Sequence, residues 1–276
     1  MTRPTAQSPP SDQATADAFA SSWNHLPAGS VYTRAQFEEW LAPLARADVE
    51  GRRVLELGCG NGSLLVHMAD WRPAQLEGVD LGDSVRSAER NMRATGFDAY
   101  RVVQRDLLAQ PGGEPFDLVY CIGVLHHLRS PARGFDAMLR QLRPGGRFHG
   151  WVYAHEGNAP VRLLVEPMRR VTSRLPWWLT KYAVATPLAL AFYGYAQAVS
   201  RLDADLPLAG YCRWIAPREL GFFRHVAFDQ LVTPQTAFLR RAEIERWLAD
   251  PRIEPGSIYL EHRNGNGWKF GGRVVR

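Results

Sequence analysis

A glycine-rich run, Gly58-Cys59-Gly60-Asn61-Gly62, follows an apolar segment that contains one acidic residue, Glu56. Glycines at alternate positions let the backbone turn sharply and come close to a ligand, and a helix that begins there offers free N–H groups. Dinucleotide-binding turns have the spacing G-x-G-x-x-G, whereas the spacing here is G-x-G-x-G. A carboxylate two residues before the first glycine would repel a pyrophosphate, so the run favours a ligand with a positive amino group.

Two adjacent histidines, His126 and His127, follow another apolar run, which contains Cys121. The pKa of an imidazole lies close to neutral pH, so either residue could take a proton from a hydroxyl nucleophile. Alternatively, one of the pair packs against a ligand or caps the next helix, since some group transfers need little beyond positioning. Both interpretations stay open from the sequence.

The elements that must position these residues follow from the pattern of residues 53–153, where short apolar runs alternate with amphipathic stretches. Such alternation predicts parallel strands joined by helices in a doubly wound α/β sheet. Open sheets of this kind bind ligands at the carboxyl ends of their strands, where the glycines and histidines would lie. The predicted strands are Arg53–Leu57, Leu76–Asp80, Tyr100–Gln104, Phe116–Ile122 and Arg147–Tyr153; the predicted helices are Ser63–Trp71, Ser84–Thr95 (with Ser84 as N-cap) and Pro131–Leu142.

In this order the motifs resemble those of the class I S-adenosylmethionine (SAM)-dependent methyltransferases, especially the bacterial small-molecule type with a type 11-like core. The resemblance covers roughly 53–153 and implies a Rossmann-like seven-stranded sheet with SAM as the cofactor. It implies that Glu56 and the glycines surround the aminoacyl end, that Asp80 takes the ribose hydroxyls, and that Asp106 lies beside the adenine amino group. The residues expected to bind the cofactor are Trp23, Tyr32, Glu56, Gly58, Cys59, Gly60, Gly62, Asp80, Leu81, Asp106, Leu107 and Cys121.

The segment before the core contributes two of those residues, Trp23 and Tyr32. In related enzymes a leading segment folds over SAM, and an aromatic face against the sulfonium cation is favourable. The alternative is a helix that only covers the sheet. Residues 1–20 are rich in Thr, Pro, Ser and Ala and lack the apolar core of a signal peptide, so we predict a flexible arm and a cytoplasmic protein.

The strand–helix alternation stops after residue 154, and residues 155–226 are apolar, basic and aromatic. We predict a mostly helical insertion after the fifth strand that serves as a substrate cap. Residues 21–154 would then form the first part of the core with its lid. Residues 227–276 would complete the core with a helix, Leu239–Ala249, and a hairpin that turns at 264–266.

Three interpretations of the insertion stay open. Its aromatic side chains suit a large apolar pocket for the acceptor, with Asp229 or Gln230 as polar contacts. Its basic residues beside apolar ones, in 160–200, are typical of a helix that lies on an anionic membrane, and we favour a lid or such an interfacial helix over a spanning helix. The plainest alternative is a cap that buries the aromatics in its own core.

The composition bears on two further questions, a nucleic-acid partner and a metal site. With 33 basic and 28 acidic residues the net charge is +5, and the basic residues form no separate stripe, so no nucleic-acid partner is expected. The three cysteines form no C-x-x-C pair, and no metal site is expected. We predict methyl transfer from SAM to O, N or C of a hydrophobic or aromatic small molecule, such as a lipid, quinone precursor or natural product. A methyltransferase of tRNA or protein, or a non-catalytic subunit, stays as the alternative, and the periphery of the inner membrane is the alternative location.

Overall fold

Seven strands pair into one sheet in the order β3-β2-β1-β4-β5-β7-β6, as seen in a computed structural model that describes residues 12–24, 29–109, 113–203 and 206–276. Strands β1 to β5 are parallel, and β7 is antiparallel to both of its neighbours. The strands are β1 (Arg53–Leu57), β2 (Gln75–Asp80), β3 (Tyr100–Gln104), β4 (Phe116–Ile122), β5 (Leu142–Tyr153), β6 (Tyr259–Arg263) and β7 (Gly267–Arg273). The predicted fold class is confirmed.

Helices cover both faces of the sheet because β1 and β4 are apolar on both sides. On one face Leu55 and Leu57 pack with α5 and α11, and on the other Val54 and Tyr120 pack with α2, α3 and α4. The core helices are α1 (Asp12–Trp23), α2 (Arg34–Leu41), α3 (Leu65–Ala69), α4 (Val85–Arg93), α5 (Pro131–Arg140) and α11 (Arg241–Leu248), with 3₁₀ turns at Arg46–Asp48, Leu125–His127 and Pro255–Ser257.

The insertion is helical, as predicted, and its helices pack on one another as well as on the core. Phe192, Tyr193 and Phe223 contribute to a core that belongs to the insertion itself. The helices are α6 (Glu166–Thr172), α7 (Trp177–Leu179), α8 (Thr186–Leu202), α9 (Ala209–Ile215) and α10 (Leu220–Val232), with π-helical turns at Val161–Val165 and Thr180–Ala185.

The insertion leaves the core and returns to it at one point. Beyond the end of β5, the Leu239 N–H donates to the Tyr153 carbonyl at 2.9 Å, and the His155 N–H donates to the Leu239 carbonyl at 2.8 Å. The first and last residues of the excursion are therefore tied together by backbone hydrogen bonds. In the part of the chain that the structure describes, no helix combines the length and apolar character needed to cross a bilayer.

Three details differ from the sequence prediction. Residues 12–20 of the expected flexible arm lie in α1, while residues 1–11 are outside the described range. The expected boundary between 226 and 227 falls inside α10, so the insertion continues to at least Val232. Ser84 stands at the start of α4, but its hydroxyl contacts the Asp80 carboxylate at 3.4 Å and caps no helical N–H.

Candidate functional site

A large cavity lies at the carboxyl ends of β1, β2, β4 and β5, enclosed by α1, α9 and α10. Ten of the twelve expected cofactor residues line it; the exceptions are Gly62 and Cys121. Cys121 points into the core beneath the sheet's edge and is fully buried. The expected residues that do line the cavity are Trp23, Tyr32, Glu56, Gly58, Cys59, Gly60, Asp80, Leu81, Asp106 and Leu107.

The glycine-rich turn is built from glycines with positive φ: +78° at Gly58, +52° at Gly60 and +79° at Gly62. A Cβ at Gly58 would collide with Val124, whereas one at Gly60 would meet nothing within 4 Å, so the backbone at Gly60 faces open space. A Cβ at Gly62 would lie 3.1 Å from Ala88. The third glycine therefore lets α4 approach the turn, which corrects the expectation that it contacts a ligand.

Asp80 holds the turn in place from the end of β2. Its carboxylate accepts hydrogen bonds from the Gly60 N–H at 2.9 Å and the Gly82 N–H at 2.7 Å. Burial raises the pKa of Asp80, and these N–H groups act against that rise by stabilising the charged form. The carboxylate lines the cavity between the turn and α1, where it can still accept hydrogen bonds from a bound molecule.

Glu56 lies beneath the turn and is 2% exposed. The Tyr120 hydroxyl donates to its carboxylate at 2.8 Å. Burial raises the pKa of Glu56 to about 8, the Tyr120 hydrogen bond lowers it, and the negative charge of Asp80 raises it. No lysine or arginine among the described residues contributes to this pKa, so a cationic ligand group would supply the missing positive charge.

The two predicted histidines are placed differently. His127 lines the cavity, and its Nδ1 donates to the Gln235 carbonyl at 2.9 Å. His126 is 1% exposed and does not line the cavity; its Nδ1 accepts the Tyr153 N–H at 3.3 Å. Burial lowers the pKa of His127 to about 3 and holds the pKa of His126 well below its usual value. His126 is therefore a packing residue, which corrects its expected catalytic placement, and His127 is a weak base.

A third histidine, His225, lines the cavity and was not predicted from the sequence. It lies on α10, and its Nε2 is 3.3 Å from the carboxylate of Asp229 one turn later. The edge of its ring contacts Trp23 of α1 at a centroid distance of 5.2 Å. Two residues four positions apart on a helix lie side by side. This spacing is the feature of the sequence from which the His225–Asp229 pair could have been predicted.

Tyr32 lines the cavity. Its pKa is raised by burial and further by the negative charge of Asp229. Its ring meets Trp40 at 4.6 Å and Trp23 at 6.1 Å. The aromatic residues expected in the leading segment thus face the cavity, together with the α1 residues Asp12, Thr15, Ala16 and Phe19, which were not predicted.

The far end of the cavity is aromatic with one positive side chain. Arg263, at the end of β6, lies against both Trp40 and Trp214, at 5.4 and 5.3 Å from the ring centroids. Its guanidinium is 2.9 Å from Glu39. Among described residues it is the one Lys or Arg that lines the cavity. The other residues at this end are Trp151, Tyr153, Tyr211, Phe222, Asp229 and Gln230, of which Gln230 donates to the Tyr153 hydroxyl at 2.6 Å.

Comparison with known proteins bears on the core. A methyltransferase-domain family model matches residues 32–183, more than half of the chain. A ubiquinone biosynthesis O-methyltransferase of Pseudomonas entomophila is 35% identical over 104 residues, which is 37% of this chain and 44% of that protein. An uncharacterised protein of Synechococcus is 37% identical over 139 residues, 46% of this chain and 33% of that protein. The matches thus span less than half the length of these relatives.

Among solved structures, a magnesium protoporphyrin IX methyltransferase from Synechocystis with bound S-adenosylhomocysteine (SAH) has a TM-score of 0.52. It is 14% identical, and the alignment covers 88% of this chain and 83% of that one. At this identity the likeness concerns the fold. The aligned 88% of this chain exceeds the share that the core alone makes up, so the likeness in fold includes part of the insertion.

Proposed function

The chain belongs to the class I SAM-dependent methyltransferases, and on this premise we propose that it methylates O, N or C of a hydrophobic or aromatic small molecule. One observation carries the proposal: a single cavity joins the glycine-rich, acidic end of the sheet to an aromatic chamber formed largely by the insertion. The donor end suits a ligand with a cation and hydroxyl groups. The aromatic end suits an apolar acceptor.

The residues at the donor end fit SAM on physical grounds. Glu56 is a buried carboxyl group whose pKa owes nothing to a lysine or arginine among the described residues, and the amino group of the methionine part would supply a cation. Asp80 has acceptor capacity for ribose hydroxyls, and Asp106 with Leu107 lines the part of the cavity assigned to adenine. Once bound, SAM supplies a methyl group already activated by the sulfonium charge.

The aromatic end of the cavity supports the proposed acceptor class. Tyr211, Trp214 and Phe222 contribute apolar aromatic surface to the cavity wall. Arg263 adds a positive charge that is held in place by two indole rings. An aromatic molecule with a hydroxyl or acidic substituent satisfies both features, because its ring stacks while its oxygen atoms meet the guanidinium.

A hydroxyl acceptor has to lose a proton, and His225 is the base that the geometry favours. It lies in the cavity wall, and the Asp229 carboxylate can stabilise the imidazolium formed when it takes the proton. His127 is a poorer choice because its pKa of about 3 lies far from neutral pH. We therefore assign proton transfer to His225 and the orientation of its ring to Asp229.

Calorimetric titration with SAH, followed by an acceptor screen, tests the proposal. We expect micromolar or tighter binding of SAH, and transfer of labelled methyl from SAM to members of a panel of phenols and aromatic hydroxy acids. Tight SAH binding without transfer to any apolar acceptor, combined with transfer to tRNA or protein, would overturn the acceptor class. Absence of SAH binding by the folded protein would overturn the enzymatic proposal and favour a binding subunit.

A further inference from the structure

The insertion exposes large apolar side chains that do not line the cavity. Of the large hydrophobic residues exposed in the described part of the chain, seven lie between 163 and 190, each 45–73% exposed. We call them the outer face: Leu163, Leu164, Val171, Trp177, Trp178, Tyr182 and Leu190. Scattered exposed apolar residues are ordinary, but a contiguous cluster marks an interaction surface.

These residues share one side of the insertion because the helices that carry them pack on the same partner. Val165 and Met168 on one segment, and Val184 and Ala185 on the next, all contact the apolar side of α10. The Thr180 hydroxyl also donates to the Thr172 carbonyl at 3.0 Å, which joins the two segments. Both segments thus turn one side toward α10, and the exposed side chains that they carry lie off that contact.

Most of the charged side chains in the segments that carry the outer face are basic. Residues 161–200 contain five basic side chains and a single acidic one, Glu166. Arg169 is buried and donates to Gln230, so it joins α6 to α10 inside the protein. The other four lie at the surface or near it: Arg162, Arg170, Arg174 and Lys181, the last 5.8 Å from the Trp177 ring.

Exposed tryptophan, tyrosine and leucine side chains bordered by basic residues are the chemistry that recognises the surface of an anionic bilayer. A second copy of the chain fits less well, because two such faces would bring positive charges together. We propose that the outer face docks on an anionic lipid bilayer. This inference rests on the exposed surface and is independent of the proposed methyl transfer.

Docking there would bring the lipid close to the cavity. Helix α10 packs against the outer segments through Phe228 and Leu231, and it lines the cavity through Phe222 and His225. One helix thus separates the bilayer-facing segments from the acceptor chamber. An apolar acceptor dissolved in the bilayer would have a short path to the site.

Flotation of the full chain with lipid vesicles tests the proposal. We expect binding to phosphatidylcholine vesicles that contain about 30% phosphatidylglycerol, weaker binding in 0.5 M salt, and little binding to pure phosphatidylcholine. Trp177→Ala with Trp178→Ala should lower the partition coefficient by about tenfold or more, since two large apolar anchors are lost. Both side chains are about half exposed, so the variant should keep its fold and its affinity for SAH.

A matched pair of variants isolates the charge. Arg170→Gln with Arg174→Gln should weaken binding to the anionic vesicles. Arg86→Gln with Arg93→Gln removes the same net charge from α4, outside the insertion, and should leave vesicle binding unchanged. Equal losses for the two pairs, or no flotation by the wild-type chain with anionic vesicles, would overturn the proposal. A wild-type dimer that the tryptophan variant converts to a monomer, without lipid binding, would assign the face to self-association instead.

Discussion

Tyr120 donates a hydrogen bond to Glu56 inside the sheet, and neither side chain is more than 2% exposed. This phenol partly offsets the burial that raises the pKa of Glu56 to about 8. At neutral pH the carboxyl group is therefore mostly protonated when no cation is nearby. Arrival of a cationic group favours the carboxylate, so binding at this end of the cavity is coupled to a proton.

The first prediction follows from that coupling. Binding of SAH at pH 7 should release a proton, and its affinity should rise as the pH approaches 8. Calorimetry in buffers of different ionisation enthalpy measures the released proton directly. Glu56→Gln should bind SAH more weakly and release none. A wild-type protein that binds without proton release would contradict the assignment of Glu56 to the cationic group.

The same pKa predicts how the stability of the ligand-free protein changes with pH. Because the folded-state pKa of Glu56 is raised from 4.5 to about 8, its contribution to the free energy of unfolding is fully present below pH 4.5. That contribution is lost as the pH rises to about 8. Glu56→Gln should flatten this part of the profile, as measured by urea unfolding between pH 5 and 9; an unchanged slope would contradict the raised pKa.

Asp80→Asn should weaken SAH binding by about tenfold to a hundredfold, since hydrogen bonds to a charged group contribute roughly 1.5–3 kcal/mol each. The substitution also weakens the hydrogen bond that the Gly60 N–H donates to the side chain of residue 80. Asp83→Asn is the matched control, because Asp83 lies three residues on, is half exposed and pairs with Arg86. Calorimetry of both variants checks the prediction. Unchanged affinity in folded Asp80→Asn would falsify the ribose assignment.

His225→Gln should lower kcat for a hydroxyl acceptor by about a hundredfold or more while SAH affinity is kept. His127→Gln should have a smaller effect on kcat. His126→Ala should mainly lower the melting temperature, because its ring fills a buried site beside Tyr153. His262→Gln, on the exposed side of β6, is the control. Equal losses of kcat in the His225 and His127 variants would contradict the assignment of proton transfer to His225.

The pair formed by Arg263 and Glu39 should respond unequally to loss of either partner. Arg263 is 4% exposed and Glu39 is 45% exposed. Glu39→Ala leaves a buried guanidinium without its nearest carboxylate and should cost about 3 kcal/mol of unfolding free energy. Arg263→Met leaves an acid that water can solvate and should cost only about 1 kcal/mol. Denaturant unfolding of both variants checks the order, and the reverse order would contradict it.

Local patterns made the donor end predictable from the sequence. Alternating apolar runs indicated β1 to β5, and the positive φ of Gly58 and Gly60 matches what the glycine spacing predicts. Residues whose position depends on distant partners were harder. Gly62 meets Ala88, and His126 and His127 are neighbours in sequence that face different surroundings.

The acceptor end and α1 needed tertiary structure. Trp40, Trp214 and Arg263 are far apart in the chain and meet only because β6 returns to the edge of the sheet. Helix α1 has the composition of a flexible arm, since it is rich in Ala, Ser and Asp. It is held by packing on α10 and along the cavity, and such contacts outweigh local propensity.

The joint between Tyr153 and Leu239 has an evolutionary consequence. Because the insertion leaves and re-enters at adjacent positions, it can lengthen, shorten or be exchanged without shifting any strand pairing. An exchange at this joint would replace Tyr211, Trp214 and Phe222 of the acceptor chamber and keep Trp40, Trp151 and Arg263, which the core supplies. The joint thus separates a sheet that carries the donor residues from an insertion whose replacement would change the acceptor that the cavity accommodates.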